Sequence, residues 1–195
     1  MLTSFGFKAH SGWAALIVLG RENGNFGIVE RRRVELVDEA WARQPYHAAE
    51  TLGADAASEL VERGIASVRK VASREMRALS TREHQRGNRI GACAVVVGDP
   101  MPQWSVAQIL AVHVRMHRAE GVLFRDVLLH AARECGLRVL ALPEKTLMDQ
   151  FAQAFGTTTA DALAKLAALG KACGPPWGQD QKQAALAALL ALNVD

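Results

Sequence analysis

The sequence predicts one α/β domain, covering residues 1–195, that is built on a mixed sheet with helices on both faces. Strand-like segments come first and follow one another with only short polar turns between them, which indicates antiparallel neighbours. Short β-branched runs then alternate with long amphipathic segments, a pattern typical of parallel strands joined by helices. The chain has 195 residues, enough for a single domain with a substantial apolar core.

Three strands are predicted near the N-terminus. The first ends at Lys8, before a tight turn, and Trp13–Leu19 form a second, apolar strand. The polar segment 21–25 is rich in Asn and Gly, which favours a reversal between antiparallel strands. Residues 26–37 mix polar and β-branched side chains, as expected of a strand with one face in solvent.

A loop, a long helix and a buried strand are predicted next. Residues 39–53 lack helical periodicity and are interpreted as a loop that crosses the molecule. From Ala54 to about Ser80, apolar residues recur every three or four positions, which predicts one helix. The short, nearly continuous apolar run 90–99 is typical of a strand that is covered on both faces.

The remaining chain is predicted to be mainly helical. Ser105 is a suitable cap for a helix that begins at Val106 and runs into the 130s, and Gly121 could break this helix. One further buried strand and three helices complete the prediction, at residues 137–142, 143–155, 159–169 and 180–192.

Composition narrows the function classes. No apolar run is long enough to cross a bilayer, so no membrane partner is expected. Cys93, Cys135 and Cys173 are far apart and form no CxxC pair, which argues against a disulfide framework or a zinc-binding motif. The expected location is a reducing cytoplasm.

Basic residues are clustered, although the net charge of only +3 says little about partners. A local excess of positive charge can hold a phosphate backbone. A solvated helix face is the alternative interpretation. The residues expected to contact nucleic acid are Arg31, Arg32, Arg33, Arg69, Lys70, Arg74 and Arg77.

Three short motifs stand at the ends of predicted elements. They are Gly6-Phe7-Lys8 after the first strand, Gly98-Asp99 after the buried strand, and Asp180-Gln181-Lys182-Gln183 at the start of the last helix. With the order of elements, they resemble the RuvC-type Holliday-junction resolvases of the ribonuclease H-like superfamily, over nearly the whole chain. That family has Gly-hydrophobic-Asp, a second acid and Asp-x-x-Asp at these places.

The resemblance implies a catalytic site in which four carboxylates hold Mg²⁺ or Mn²⁺ for phosphodiester hydrolysis. Asp99 and Asp180 match two of the four positions, whereas Lys8 and Gln183 do not. An ammonium group at Lys8 would repel a metal ion and would pair with Asp99 or Asp180 instead. The resemblance therefore implies a site that is degenerate at two of its four acidic positions.

The leading interpretation is a resolvase-like protein that binds branched or structured DNA or RNA, with its nuclease activity lost or modified. A non-catalytic scaffold on the same fold is an alternative. In that alternative, the resemblance to the resolvases implies a homodimer through the central helix.

A metal-dependent hydrolase is another alternative, in which Asp99 acts with a second group of residues. His113, His117 and Glu120 lie at positions i, i+4 and i+7, which places them on one side of a helix. Two histidines one turn apart can chelate a transition metal, and a carboxylate one turn further would complete the set. Two residues of the crossing loop could join this site or simply hold the loop in place: Tyr46 and His47.

Overall fold

A five-stranded mixed sheet forms the centre of the molecule, in a computed structural model that describes residues 1–193. Its strand order is β3-β2-β1-β4-β5. The first three strands are antiparallel neighbours, and β4 and β5 continue the sheet in parallel with β1. This confirms the predicted mixed sheet. The strands are β1 Leu2–His10, β2 Trp13–Glu22, β3 Asn25–Glu35, β4 Arg89–Val97 and β5 Arg138–Pro143.

Helices cover both faces of this sheet. Those in residues 1–193 are α1 Pro45–Ala49, α2 Ala54–Gln85, α3 Val106–Leu110, α4 His113–Glu134, α5 Leu147–Phe155, α6 Thr159–Cys173 and α7 Gln179–Leu192. Helices α2 and α4 pack on one face, and α5, α6 and α7 pack on the other. No helix in the described range is both long and apolar enough to span a membrane.

The two faces of β1 carry different kinds of side chain, because successive residues of a strand point to opposite sides. Phe5 and Phe7 are buried in the core that contains α2 and α4. On the other face, the Ser4 hydroxyl donates to the backbone carbonyl of Ala188 in α7 at 2.7 Å. A Cβ atom at Gly6 would overlap the backbone of α7. Helix α7 therefore crosses directly over β1, and Lys8 is the next residue on that face.

The segment before α2 is more ordered than the predicted loop. It contains a 3-10 turn at Ala40–Arg43 and the short helix α1, which begins at Pro45. Proline is well suited to the first helical position because its missing N–H needs no partner there. Tyr46 is buried, so α1 is attached to the body of the molecule rather than crossing over it.

The predicted helix from Val106 into the 130s is also interrupted, but not at Gly121. The break lies between α3 and α4, at residues 111 and 112. Ser105 and Gln108 form a reciprocal capping box at the start of α3, which confirms Ser105 as the cap. Gly121 continues α4, and its carbonyl accepts a hydrogen bond from Arg125 Nε at 2.6 Å.

Candidate functional site

The ends of β1, β4 and β5 meet at one edge of the sheet because these strands run in parallel. Lys8 of β1 is in register with Val96 of β4, and Val96 is in register with Leu142 of β5. The residues that follow β4 and β5 therefore lie at the same edge as Lys8. Contacts join this edge to the first turns of α7, and its polar residues are Lys8, Asp99, Glu144, Lys145 and Gln183.

Lys8 and Gln183 are linked at this edge through hydrogen bonds to the Glu144 carboxylate. The Lys8 ammonium donates to Glu144 Oε2 at 2.5 Å, and the Gln183 amide donates to Oε1 at 2.8 Å. The Lys8 side chain is only 14% exposed, and Gln183 is buried. The Lys8 contact, followed by the Gln183 hydrogen bond, holds the pKa of Glu144 below its ordinary value. Both oxygens of the carboxylate are thus occupied by donors.

The expectation that Lys8 pairs with Asp99 or Asp180 is wrong. Asp99 is exposed and accepts a hydrogen bond from the Lys145 ammonium at 2.7 Å, which lowers the pKa of the Asp99 carboxyl. Asp180 Oδ1 lies 2.9 Å from His10 Nε2. Each of the two acids has its own partner, and Glu144, one residue after β5, contacts the ammonium instead.

The residues at this edge do not fit a two-metal centre. Such a centre needs several carboxylates that converge on the ions. Asp99 contacts a lysine, Glu144 contacts a lysine and an amide, and Asp180 contacts a histidine. Within residues 1–193, the one group of three or more metal-ligating side chains close enough to share an ion lies elsewhere, at His47, His113 and His117.

Further cations lie near the sheet edge. Arg125 is half-buried, and its guanidinium occupies the space beside Gly98, where a Cβ atom would collide with it. Burial lowers the pKa of this guanidinium, while the nearby carboxylates oppose the effect. Arg118 is exposed and donates to the Pro100 carbonyl at 2.6 Å. With Lys8 and Lys145, these arginines give the edge more positive than negative groups.

The basic cluster on β3, residues 31–33, is largely engaged in contacts within the protein. Arg31 donates to three consecutive backbone carbonyls, those of residues 174 to 176, at 2.6, 3.0 and 2.7 Å. It therefore holds the segment between α6 and α7 against β3. Arg32 pairs with Glu30, and Arg33 pairs with Glu35 while its guanidinium also lies 3.9 Å from the centre of the Trp13 ring.

The basic residues predicted on α2 are exposed. Arg74 makes a bidentate pair with Asp38 at 2.9 and 3.0 Å, and Arg77 lies 3.5 Å from Glu134. Arg69 borders a surface cleft that also includes Asp126. To bind phosphate, Arg74 and Arg77 would have to exchange these partners, as exposed ion pairs do at little cost. Lys70, next to Arg69 on α2, is also exposed.

The predicted histidine group is arranged differently from the expected set. His113 and His117 lie at the start of α4 with their Nε2 atoms 3.1 Å apart. Glu120 is buried one turn further on and contacts His47 of α1, with 2.8 Å between His47 Nδ1 and Glu120 Oε1. Asp99 does not belong to this group. The neighbouring Tyr46 is buried, and burial together with the charge of Glu120 raises the pKa of its hydroxyl.

The sequence pattern does not predict two of the contacts at these sites, Lys8 with Glu144 and His47 with Glu120. Glu144 was missed because its contact with Lys8 joins residues 136 positions apart. A usable signal is that it follows a buried strand, as Asp99 does, and so shares an edge of the sheet with Lys8. His47 was considered, but its direct contact with Glu120 depends on the packing of α1 against α4.

Comparison with solved structures supports the predicted resemblance. No protein-family model and no curated protein matches the sequence. RuvC from T. thermophilus in complex with a Holliday junction substrate matches with a TM-score of 0.53 and 14% identity, over 99% of this chain and 94% of that one. A second T. thermophilus RuvC structure gives 0.52 and 13%, over 98% and 93%. At this level of identity the likeness shows the fold, which is the ribonuclease H-like fold of RuvC.

Proposed function

We propose that this chain binds branched or structured nucleic acid on its RuvC fold without cleaving it through a two-metal centre. The observation that carries the proposal is the network of Lys8, Glu144 and Gln183 at the sheet edge. It stands where the resemblance implies metal ions held by carboxylates. The matching RuvC structure in complex with a Holliday junction substrate supports nucleic acid as the partner.

The lack of cleavage follows from the chemistry of an ammonium group. A divalent ion activates water and stabilises the leaving oxygen of a phosphodiester. An ammonium can attract a phosphate, but it does not supply a Lewis acid. Lys8 also donates to Glu144 and is largely covered, so it is poorly placed to take a phosphate oxygen itself.

Phosphate contacts are assigned instead to exposed cations around the edge. The Lys145 side chain is 77% exposed, and its partner Asp99 is 60% exposed, so this pair can open at little cost. Arg118 is exposed nearby, beside Pro100. A second set of contacts is proposed on α2, where the exposed basic residues are Arg69, Lys70, Arg74 and Arg77. Contacts of this kind position a nucleic acid by its backbone.

The test is the binding of a labelled four-way DNA junction, in Mg²⁺, by native and denaturing gels across a salt series. We expect a salt-sensitive shift without cleavage. Lys145→Glu should weaken binding and reduce the salt slope by about one for each phosphate contact that is lost. Lys171→Glu is the matched control, because Lys171 is exposed near the end of α6. Sedimentation of the same samples tests the expected homodimer.

Two results would contradict the proposal. Cleavage of the junction by the unmodified protein in Mg²⁺ would mean that the sheet edge is catalytic in spite of Lys8. The absence of a shift with junction, linear duplex and structured RNA would remove the nucleic-acid assignment and favour a scaffold. An equal loss of binding in Lys145→Glu and Lys171→Glu would place the contact elsewhere.

A further inference from the structure

We infer that His47, His113 and His117 bind one divalent transition-metal ion of the zinc type, and that Glu120 positions His47 for this role. The three histidines lie at the junction of α1 and α4 and do not include the network at Lys8. The inference is independent of the proposed binding of nucleic acid.

The three imidazoles are already close to coordinating distance. One ring nitrogen of each lies within 4.8 Å of the other two. The Nε2 atoms of His113 and His117 are 3.1 Å apart. Two nitrogens bound to zinc at about 2.0–2.1 Å in a tetrahedral arrangement are separated by about 3.3 Å. The pair on α4 therefore needs almost no movement to share an ion.

The ring of His47 completes the group from the opposite element. Its centroid lies 4.5 Å from that of His117 and 5.0 Å from that of His113. The rings are tilted or perpendicular to one another rather than stacked, so this is not the parallel packing of aromatic faces. Since the ligands come from α1 and α4, an ion bound there would tie these helices together.

Glu120 fixes the proton on His47. Its Oε1 accepts from His47 Nδ1 at 2.8 Å and from the His47 backbone N–H at 3.3 Å, and its side chain is 1% exposed. An ionised carboxylate can only accept hydrogen bonds, so the single proton of a neutral imidazole belongs on Nδ1, and in that tautomer Nε2 is free to bind a metal ion. A carboxylate behind a histidine in this way is the usual support of a metal ligand.

The unpartnered Nε2 atom of His47 is the second observation that points to a cation. This atom is buried and has no hydrogen-bond partner within the described protein. A hydrogen bond shared between His113 and His117 would account for their spacing but would leave His47 Nε2 unpaired. A metal ion would satisfy all three nitrogens at once, which the single hydrogen bond between His113 and His117 does not.

The ligand set indicates the class of metal. Imidazole nitrogen suits zinc, copper, nickel and cobalt, whereas magnesium and calcium take oxygen ligands. Three protein ligands leave one position for water or an anionic ligand, as in zinc sites that take part in chemistry. The His113 side chain is 65% exposed, so solvent reaches this side of the group.

The test uses the untagged 195-residue chain after a chelator has removed any bound metal. The chain is titrated with Co²⁺, whose visible absorption reports tetrahedral coordination, and the bound Co²⁺ is then displaced with Zn²⁺. We expect one ion per chain. His113→Ala should abolish stoichiometric binding, and because His113 is exposed this change should leave the fold intact. Glu120→Gln should weaken affinity about 10- to 100-fold. His130→Ala is the matched control, since His130 lies on the same helix and pairs with Glu134.

Circular dichroism of each variant separates loss of the site from loss of the fold, and His117→Gln provides a second ligand variant. Binding of less than one ion per chain by the folded wild type would overturn the inference, as would unchanged affinity in His113→Ala. Unchanged affinity in Glu120→Gln would remove its positioning role. Junction binding that survives His113→Ala would show that the two proposals stand or fall separately.

Discussion

The pair formed by Lys8 and Glu144 allows a direct test of the proposal that the sheet edge holds no divalent ions. The Lys8 side chain is 14% exposed and the Glu144 side chain is 43% exposed, so the pair lies between the surface and buried regimes. Lys8→Met removes the attraction and should lower the free energy of unfolding by about 1–2 kcal/mol. Lys8→Asp adds repulsion between two carboxylates about 6 Å apart, worth about 3 kcal/mol at an effective dielectric constant of about 20.

Protonation of one carboxyl group will relieve part of this repulsion, so the total loss in Lys8→Asp should be about 2–3 kcal/mol at neutral pH. Mg²⁺ should restore most of that loss, because a ligand at 100 times its dissociation constant stabilises the folded state by about 2.7 kcal/mol. The wild type and Lys8→Met should not respond. The assay uses Mg²⁺ because this ion prefers oxygen ligands and should not bind the histidine group.

Urea unfolding followed by circular dichroism, in EDTA and in Mg²⁺, measures each of these free energies. Lys171→Asp supplies the same change of charge at an exposed position on α6. The proposed role of Lys8 is wrong if Mg²⁺ stabilises the wild type as much as Lys8→Asp. It is also wrong if Lys8→Asp in EDTA is as stable as the control, since the ammonium would then not be needed beside Glu144.

Two further predictions concern α7 and acid stability. Gly6→Ala should lower the free energy of unfolding in urea by about 2–4 kcal/mol, because the added Cβ would overlap the Ala184 carbonyl. Gly27→Ala is the control and should lower it little, because the space around Gly27 is open. Equal losses in the two variants would contradict the close crossing of α7 over β1. The pKa of Glu144 is lowered from 4.5 in the folded state, so its contribution is present above pH 4.5 and is lost as pH falls through the folded pKa. Stability measured against pH should therefore fall less steeply below pH 4.5 in Glu144→Gln, and parallel curves would refute this.

The strands and most helices could be predicted because each carries its own local pattern. The apolar run 90–99 indicates a covered strand, and β4 spans Arg89–Val97 between β1 and β5 in the sheet. The break between α3 and α4 is different, since apolar residues continue on both sides of it. The helix stops after Leu110, although the sequence pattern predicts a break at Gly121. Gly121 does not mark a break, because its lack of a side chain makes room for Arg125.

The candidate sites were harder to predict because their contacts join distant parts of the chain. Helical spacing relates His113 to His117, and the structure places their nitrogens 3.1 Å apart. No spacing rule relates His47 to Glu120, 73 residues away, or Lys8 to Glu144, 136 residues away. Each of these contacts depends on the packing of separate elements, which periodicity within one element does not encode.

The network at the sheet edge also explains why Lys8 and Gln183 occur together. In a two-metal site, four carboxylates are balanced by two divalent ions. Here the single charge of Lys8 balances the single charge of Glu144, and the neutral Gln183 amide donates to the remaining oxygen. A carboxylate at position 183 would leave the network with an unbalanced negative charge beside a buried helix turn. The charges of Lys8 and Glu144 therefore cancel each other within the protein, and under the proposed function the phosphate contacts fall to the exposed cations around this pair.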